Sequence, residues 1–445
     1  MLDLPAPSPV PVHSSPTKNP QSLHIRDADA PPAMRAYVEA YGCTLNFGEA
    51  RELEDVLTSA GWTLVEDPDQ CDLAVLVTCI VIDKTERAML KRIKRLSSAP
   101  QLIVTGCMAT AGRERAQAAA PKAAFVAPGD YDTLTRLTGQ RKLPSAAAGS
   151  DKRSYSIVPI STGCRGSCSY CITRLARGGL KSRTPERIVH AVWKAAASGP
   201  REIQLTAQDT AAYGSDIGTD LASLVRSACA SPLDFRLRVG MMNPSSAIGL
   251  REDLGKMYRE PKVFKFLHLP VQSASDAILA DMQRGYCVQD FVRLVSGIRE
   301  AVPLITLSTD LIVGYPGETA DDHRMNMELI AGVQPDIVNV TRFSPRPGTP
   351  AADAGCPVVG RVAKDRSREL ASQRFAVAAG KNRRWVGKIV NALATEEGKK
   401  GSTILRTDEY KQVVVAEELP LHKFYAIEIL EGTSTHLIGR RVGSA

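Results

Sequence analysis

The regular alternation of short apolar runs with helical patterns constrains the fold of this chain more than any other feature. Between residues 35 and about 140, the apolar runs AYVEAYG, LAVLVTC and LIVTGC are separated by helical patterns over EARELEDVLTSAG and DKTERAMLKRIKRL. Apolar strands that alternate with helices of this length are typical of a parallel sheet with helices on both faces. We therefore expect a doubly wound parallel α/β domain over residues 34–142.

A second series of strands follows a small, polar linker near residues 143–154. Its apolar runs are YSIVPI, EIQLTA, FRLRVG, FKFLHLP, ITLSTDLIVG and DIVNVTRF, and most intervals are long enough for a helix. Six such units predict a partial (β/α)6 barrel over residues 150–380, with its active site in the loops that follow the strands. From residue 384 to 445, five short strands broken by Gly, Lys, Asp and Thr predict a small antiparallel β-barrel, an architecture that often binds oligonucleotides.

The length of 445 residues agrees with about three domains of roughly 150 residues each. Residues 1–33 are rich in proline and lack a basic start followed by an apolar stretch, so we expect a flexible tail and no secretory signal. No run of about 18 apolar residues interrupts the chain, which argues against a membrane span. These features predict a cytoplasmic protein.

The charge of the chain is concentrated in one stretch. The net charge is +8, and residues 361–388 alone hold nine Lys or Arg against two acids. Clustered cations attract phosphate backbones through counterion release. A solvated basic helix face is the alternative interpretation of such a run.

The sharpest local signal is STGCRGSCSYC, which spaces Cys164, Cys168 and Cys171 as CxxxCxxC after the first strand of the second series. Ten cysteines in a chain without an export signal indicate metal binding or core thiols better than disulfides. Three thiolates can hold three irons of a 4Fe-4S cube and leave the fourth iron for a small molecule. A structural zinc site, which typically takes four ligands and paired CxxC units, is the alternative.

A wider set of cysteines follows the strands of the first series. Cys43, Cys79 and Cys107 each come at a strand end. Taken singly, each fits a buried thiol, because free cysteine is among the most buried residue types. Parallel packing brings the carboxyl ends of strands together, so we expect the three thiols to share a metal site.

These motifs resemble the methylthiotransferase family of radical S-adenosylmethionine (SAM) enzymes over residues 35 to 443. The resemblance rests on YGCTLN, TCIV, GCM, STGCRGSCSYCITRLARG and FSPRPGTPAA. It implies SAM as a cofactor, two 4Fe-4S clusters and a C-terminal TRAM domain that binds RNA. MNP, FLHLPVQS, YCV and GYPGET resemble most the archaeal and eukaryotic branch, which acts on N6-threonylcarbamoyladenosine next to the tRNA anticodon.

The resemblance and the strand-end loops together suggest which residues contact SAM. The candidates are polar groups or glycines at the mouth of the partial barrel. They are Tyr170, Gln208, Asp209, Asn243, Gln272 and Gly314. Helix caps and tight turns are the alternative roles for these positions.

The resemblance also implies the chemistry. SAM is cleaved at the Cys164, Cys168 and Cys171 cluster, hydrogen is taken from adenine C2, sulfur comes from the second cluster, and another SAM supplies the methyl. A threonylcarbamoyl group carries a carboxylate, so its site should offer cations, and our candidates are Arg174, Arg177 and Arg346. Each arginine has the alternative of pairing with an acid or a phosphate.

The partners follow from this interpretation. We expect tRNA, an electron donor such as flavodoxin or ferredoxin, an unknown sulfur source, no membrane and a monomer. Two rival functions stay open at this point. One is methylthiolation of an aspartate in a ribosomal protein, and the other is a noncatalytic RNA-binding iron-sulfur protein.

Overall fold

The computed structural model describes residues 34–138, 155–199, 201–355 and 358–443. The chain divides into two compact units, one comprising Met1–Lys152 with Leu175–Arg177 and the other comprising Arg153–Arg174 with Gly178–Ala445. The predicted tail and linker lie outside the described residues, and the limits predicted for the three domains stay predictions. Within the described ranges, no helix is long and apolar enough to cross a membrane.

The first unit is a parallel sheet with helices between its strands. Its elements are β1 (Arg35–Ala40), α1 (Thr44–Ser59), β2 (Thr63–Leu64), β3 (Leu73–Thr78), α2 (Asp83–Leu96), β4 (Gln101–Gly106), α3 (Met108–Ala111), α4 (Arg113–Ala119), β5 (Ala124–Phe125) and α5 (Tyr131–Leu137). The strand order is β2-β1-β3-β4-β5, and every neighbouring pair is parallel. This is a doubly wound order, so the prediction for this domain is confirmed.

Burial explains why the sheet forms. All six residues of β3 are buried, as expected for a central strand covered on both faces. On α2, Met89, Ile93 and Leu96 are buried, whereas most of its basic residues are exposed. This spacing puts the apolar groups on one helix face. The unit therefore has a core on which its strand-end loops are built.

The α/β part of the second unit contains eight strands and nine helices among the described residues. They are β6 (Tyr155–Pro159), β7 (Ser161–Thr162), α6 (Ile172–Arg177, whose last three residues group with the first unit), β8 (Lys181–Ser182), α7 (Pro185–Ala197), β9 (Glu202–Thr206), α8 (Leu221–Cys229), β10 (Arg236–Val239), α9 (Pro244–Ala247), α10 (Arg251–Arg259), β11 (Phe266–His268), α11 (Asp276–Asp281), α12 (Val288–Ala301), β12 (Thr306–Val313), α13 (Ala320–Val333), β13 (Ile337–Arg342) and α14 (Pro350–Asp353). Apart from the short pair β7 and β8, the strands form two parallel sheets, β10-β9-β6 and β11-β12-β13.

A bridge between Leu237 and Val263 continues the first of these sheets toward the second. The Phe264 amide also donates to the Leu237 carbonyl at 2.9 Å, and the Met242 amide donates to the His268 carbonyl at 2.9 Å. The six strands therefore follow one another as an open barrel, which confirms the predicted partial (β/α)6 fold.

The C-terminal part begins with a long helix, α15 (Gly360–Arg383), and ends with the terminal barrel, defined as strands β14 to β18. The strands are β14 (Ile389–Glu397), β15 (Thr403–Thr407), β16 (Gln412–Val415), β17 (Phe424–Gly432) and β18 (Leu437–Arg441). They close in the order β14-β15-β16-β18-β17, so the five-stranded barrel is confirmed. One feature was predicted wrongly, because β16 and β18 are parallel. A closed ring with an odd number of strands cannot be antiparallel at every pair.

The terminal barrel packs against the amino ends of the partial-barrel strands. The Tyr410 ring lies 4.9 Å from the rings of both Phe264 and Phe266, centroid to centroid. Its hydroxyl donates to Glu202 Oε1 at 2.7 Å. Glu202 and Phe266 are the first residues of β9 and β11, so this contact lies at the opposite end of the strands from the loops that follow them.

A buried carboxylate joins the same surfaces. Asp336, just before β13, accepts hydrogen bonds from Lys411 Nζ of the terminal barrel and Lys381 Nζ of α15, both at 2.6 Å. Burial by itself raises the pKa of the Asp336 carboxyl, but the two ammonium groups bring that pKa below its usual range. The ion pair therefore stabilises the docked barrel while the carboxyl is charged.

Candidate active site

The cluster loop, residues 163–171, carries the CxxxCxxC motif between β7 and α6. Its backbone is closed by hydrogen bonds from the Cys164 amide to the Gly178 carbonyl (3.2 Å) and from the Cys171 amide to the Cys168 carbonyl (3.1 Å). Cys171 is also the N-cap residue of α6, which begins at Ile172. These contacts hold the three cysteines in one short turn at the carboxyl end of the first strand.

Gly163 allows this turn to close. Its φ is +75°, and a Cβ added there would lie 1.9 Å from the Gly179 carbonyl oxygen. Only glycine adopts such a conformation at so close an approach without strain. Gly163 thereby sets the position of Cys164.

Two of the three thiols of the cluster loop border one space. A Cβ on Gly166 would lie 3.4 Å from Cys164 Sγ and 3.7 Å from Cys168 Sγ. Three thiolates on one loop can bind three irons of a 4Fe-4S cube and leave the fourth iron open for a small molecule. The residues of the loop therefore fit such a cluster.

Arg284 contacts the cluster loop and was missed by the sequence interpretation. Its Nη1 donates to Cys168 Sγ at 3.3 Å and lies 3.5 Å from the Tyr170 hydroxyl, while Nη2 donates to the Pro270 carbonyl at 3.1 Å. The only sequence signal is an arginine just before Tyr286 in the segment RGYCV. Tyr170, predicted to cover SAM, thus shares a buried arginine with a cluster thiol.

Asp209 acts as a cap and links two strand-end loops. The carboxylate is buried and accepts from the amides of Ala211 (3.2 Å) and Asn243 (2.9 Å) and from Ser246 Oγ (2.7 Å). Burial raises the pKa of this carboxyl. Its contacts match the alternative of a cap, so a direct SAM contact stays a prediction and its visible effect is to fix Asn243.

Asn243 lies beside the cluster loop, and Gln208 has a buried side-chain oxygen without a hydrogen bond from the described residues. Asn243 Nδ2 lies 3.6 Å from the Cβ position of Gly166, beside the thiols. Gln208 Oε1 is buried and accepts no hydrogen bond from any residue that the structure describes. A buried acceptor of this kind suits a donor on a bound molecule, because leaving it unpaired costs about 1–3 kcal/mol.

Gln272 and Gly314 have backbone contacts in the structure. The Gln272 amide donates to the Asp310 carbonyl at 2.8 Å beside β12, with φ +74°. Gly314 follows β12, its amide donates to the Glu318 carboxylate, and its Cβ position would lie 2.8 Å from Ala363 of α15. These contacts define the turns, and SAM binding by either residue stays a prediction.

The three arginines predicted for the substrate lie in different environments. Arg174 is exposed and donates to the Gly166 carbonyl at 2.6 Å, so it supports the cluster loop. Arg346 is buried, and its carbonyl accepts from Thr349 Oγ1 at 2.7 Å. The Arg177 side chain is fully buried against Glu49, so its guanidinium is engaged by protein groups. Substrate binding by these arginines stays a prediction, and the contacts of Arg177 point to another role.

The second set of thiols lies at one edge of the first sheet. Cys43, Cys79 and Cys107 follow β1, β3 and β4, which are adjacent strands. Gly42 has φ +109°, and a Cβ there would lie 2.6 Å from Cys79 Cβ, so the loop bearing Cys43 presses directly on Cys79. The Cys107 amide donates to the Thr78 carbonyl at 3.0 Å. The parallel register therefore brings the three strand ends together.

Burial affects the charge of two of these thiols, Cys79 and Cys107. It raises the pKa of Cys79, and it raises the pKa of Cys107 to about 12, although the Arg177 charge acts in the opposite direction on both. Metal ligands must be thiolates, so metal binding here has to offset the cost of ionising buried groups.

Two family models match the chain. Residues 35–128 match the model described as "Uncharacterized protein family UPF0004", and residues 158–330 match the Radical SAM superfamily. The second match spans the cluster loop and most of the partial barrel. Fold and site thus define a radical SAM protein, a class that uses SAM and a 4Fe-4S cluster.

Relatives of known name match over almost the whole chain. A probable threonylcarbamoyladenosine tRNA methylthiotransferase from Pyrococcus abyssi is 39% identical, over 91% of this chain and 99% of its own length. The one from Pyrococcus horikoshii is 37% identical over the same shares, and the Xenopus laevis enzyme is 32% identical over 94% of this chain and 78% of its own. The chain belongs to the threonylcarbamoyladenosine tRNA methylthiotransferase family.

A solved structure supports the fold alone. The radical SAM methyltransferase TsrM from Kitasatospora setae, with tryptophan and a SAM analogue bound, aligns with a TM-score of 0.54. The alignment covers 72% of this chain and 75% of TsrM at 16% identity.

Proposed function

We propose that this protein is a radical SAM enzyme that transfers a methylthio group to C2 of N6-threonylcarbamoyladenosine next to the tRNA anticodon. The observation that carries the proposal is the presence of two cysteine triads, each at the carboxyl ends of parallel strands. They occur in a chain that matches tRNA methylthiotransferases over at least 90% of its length. The family carries two 4Fe-4S clusters, and the chain offers three thiols for each.

In the second unit, Cys164, Cys168 and Cys171 would hold the cluster that binds SAM. Bound there, SAM would accept one electron from the reduced cluster and would be cleaved to methionine and a 5′-deoxyadenosyl radical, which can take hydrogen from an unactivated carbon. Gln208 Oε1 offers an unpaired acceptor to an ammonium or hydroxyl group.

Arg284 keeps Tyr170 and Cys168 together. Asp209 keeps Asn243 at the loop through its buried hydrogen bonds. Through these contacts the two residues would orient the side chains around the cluster loop.

In the first unit, Cys43, Cys79 and Cys107 would hold the second cluster, from which we expect the sulfur to come. The terminal barrel and α15 would bind the tRNA through phosphate contacts. The carboxylate of the threonylcarbamoyl group would be met by Arg174 or Arg346. An electron donor such as flavodoxin or ferredoxin, a monomeric state and a cytoplasmic location complete the proposal.

The test is anaerobic turnover of the reconstituted full-length protein with SAM and a reductant. Purified tRNAs that differ only in the adenosine modification would be supplied, and their nucleosides analysed by mass spectrometry. We expect 2-methylthio product from the threonylcarbamoylated tRNA and little from unmodified or isopentenylated tRNA. A site built to bind a carboxylate leaves its donors unpaired when the ligand lacks one.

The same assay separates the rivals. A noncatalytic iron-sulfur protein would form no 5′-deoxyadenosine after reduction. A protein that modifies a ribosomal aspartate would form it but leave every tRNA unchanged. Equal conversion of all the tRNAs would refute the substrate and leave only the family.

A further inference from the structure

One arginine of the segment that follows the cluster loop contacts the second thiol triad. Arg177 belongs to the short stretch Leu175–Arg177 that groups with the first unit. Its side chain is fully buried, and its Nε donates to Cys107 Sγ at 3.3 Å. Burying a guanidinium is costly unless its hydrogen bonds are satisfied by charged or polar partners. The buried guanidinium of Arg177 therefore needs partners that offset the cost of its burial.

Glu49 balances the charge of this arginine. Its two carboxylate oxygens accept from Arg177 Nη1 and Nη2 at 2.5 and 2.8 Å, a bidentate pair that fixes the plane of the guanidinium. With both ends held, Nε is aimed at Cys107. The pair thus presents a directed donor to the sulfur and carries little net charge.

Asn46 extends the same network to the other two strand ends. Its Oδ1 accepts from Arg177 Nη2 at 2.8 Å and lies 3.6 Å from Cys43 Sγ. Its Nδ2 donates to the carbonyls of Tyr41 (2.7 Å) and Thr78 (3.0 Å), the residues that come two before Cys43 and one before Cys79. All three cysteine-bearing loops are therefore tied to one buried cation.

We propose that Arg177, oriented by Glu49 and Asn46, is a positioning residue for the second cluster, and that its hydrogen bond to the Cys107 sulfur tunes the cluster's reduction potential. Hydrogen bonds to ligand sulfur and nearby positive charge favour the reduced, more negative state of a 4Fe-4S cluster. The N–H donor raises the reduction potential of the one-electron couple between the 2+ and 1+ states. The negative charge of Glu49 makes this increase smaller. This inference rests on the second cluster of the proposed function.

The test uses full-length protein in which Cys164, Cys168 and Cys171 are alanine, so that only the second cluster is assembled. Iron content would be measured by elemental analysis, and the midpoint potential by electron paramagnetic resonance during a reductive titration. Glu49→Gln leaves the cation uncompensated and should shift the potential upward while iron is retained. Arg177→Met combined with Glu49→Gln removes the donor and both charges, and should shift it downward and lower iron retention.

A matched control comes from another ion pair of the same unit. Arg92 Nε donates to Glu39 Oε2 at 2.6 Å, and the other described side-chain hydrogen bonds of this pair join it to the hydroxyls of Tyr37 and Tyr41. The double change Arg92→Met and Glu39→Gln should leave the potential unchanged. Arg177→Lys keeps the charge but not the planar fork, and should restore part of the potential.

Two outcomes would overturn the inference. One is an unchanged potential in both the Glu49 variant and the Arg177 double variant. The other is equal loss of iron in the Arg177 and Arg92 double variants, which would mean that Arg177 only supports the fold. Absence of any cluster in the starting triple variant would instead refute the second cluster, and with it the proposed function.

Discussion

Gly163, the first residue of the cluster loop, lies close to the backbone of Gly179, but only Gly179 has room for a methyl group. A Cβ on Gly163 would collide with the Gly179 carbonyl, whereas one on Gly179 meets nothing within 4 Å. We predict that Gly163→Ala displaces Cys164, lowers the iron content of the full-length protein by about half and lowers 5′-deoxyadenosine formation at least about tenfold. A misplacement of about 1 Å at a reacting centre can cost roughly a hundredfold in rate.

Gly179→Ala is the matched control, because it adds the same methyl group at the opposite side of the contact. It should keep both iron and cleavage near the wild-type level. Iron analysis and chromatography of the cleavage product measure both effects. Equal behaviour of the two variants would show that the close approach at Gly163 does not position the loop.

Residue by residue, the sequence indicated the thiols better than their neighbours. The six cysteines could be found because they follow apolar strand patterns. Asn46 and Glu49 left a weaker signal, since both are polar residues on the buried face of α1. Arg177 was named as a substrate contact, but neither its contact with Cys107 nor that of Arg284 with Cys168 left a signal. These thiol partners lie 70 and 116 positions away, and only the tertiary fold pairs them.

At the scale of elements, the ion pair at Asp336 links β13, α15 and the terminal barrel. We predict that Asp336→Asn destabilises the docked barrel by about 3 kcal/mol at pH 7, because it leaves two buried ammonium groups without a charged partner. Urea unfolding followed by Trp385 fluorescence, with Trp62 and Trp193 changed to Phe, reports on the barrel, whose core contains Trp385.

The pH dependence of this effect follows from the pKa of Asp336, which is lowered in the folded protein. The stabilisation is complete above the unfolded value of about 3.9 and is lost as the pH falls through the lower folded pKa. The difference between wild type and variant should therefore vanish only below about pH 4. Asp408→Asn is the control, since its pair with Arg236 is 40% exposed on the aspartate side and is worth at most about 1 kcal/mol. If both variants lost the same free energy of unfolding, Asp336 would not be the residue that stabilises the docked barrel.

The elements themselves were largely predictable from the period of apolar residues. The strand LAVLVT stands out because a buried parallel strand is apolar on both faces. The parallel pair of β16 and β18 could not be read from alternation, which carries no information about which strands become neighbours. A parallel pair is required because five strands that close into a ring cannot all be antiparallel to their neighbours.

At the scale of the whole molecule, the basic stretch of residues 361–388 divides into two groups. Three of its cations hold the fold: Arg366 pairs with Glu318, Lys381 pairs with Asp336, and Arg374 donates to a carbonyl. The other six are exposed. They are Arg361, Lys364, Arg368, Arg383, Arg384 and Lys388. Only the exposed group is available to phosphates.

We predict that changing Arg383, Arg384 and Lys388 to Gln weakens tRNA binding and makes its salt dependence shallower by roughly two in the logarithmic slope, at about 0.7–0.9 per lost phosphate contact. Filter binding across a salt series measures this. The control changes Lys91, Lys94 and Arg95 of α2, which are also exposed, and alters net charge equally. Identical slopes for both variants would remove α15 and the terminal barrel as the RNA-binding surface.

The terminal barrel and the cluster loop occupy opposite ends of the same strands. Tyr410 packs at the amino ends of β9 and β11, while Cys164 follows the carboxyl end of β6. The neighbouring strands β6 and β9 have five residues each, which separates their two ends by roughly 15 Å. A nucleic acid gripped at the barrel therefore has to run along the flank of the partial barrel before its base arrives at the thiols. Under the proposed function, this fixed distance restricts which base of the bound tRNA can reach the cluster loop. The protein would then select its substrate by the position of the base along the backbone as well as by the chemistry of the base.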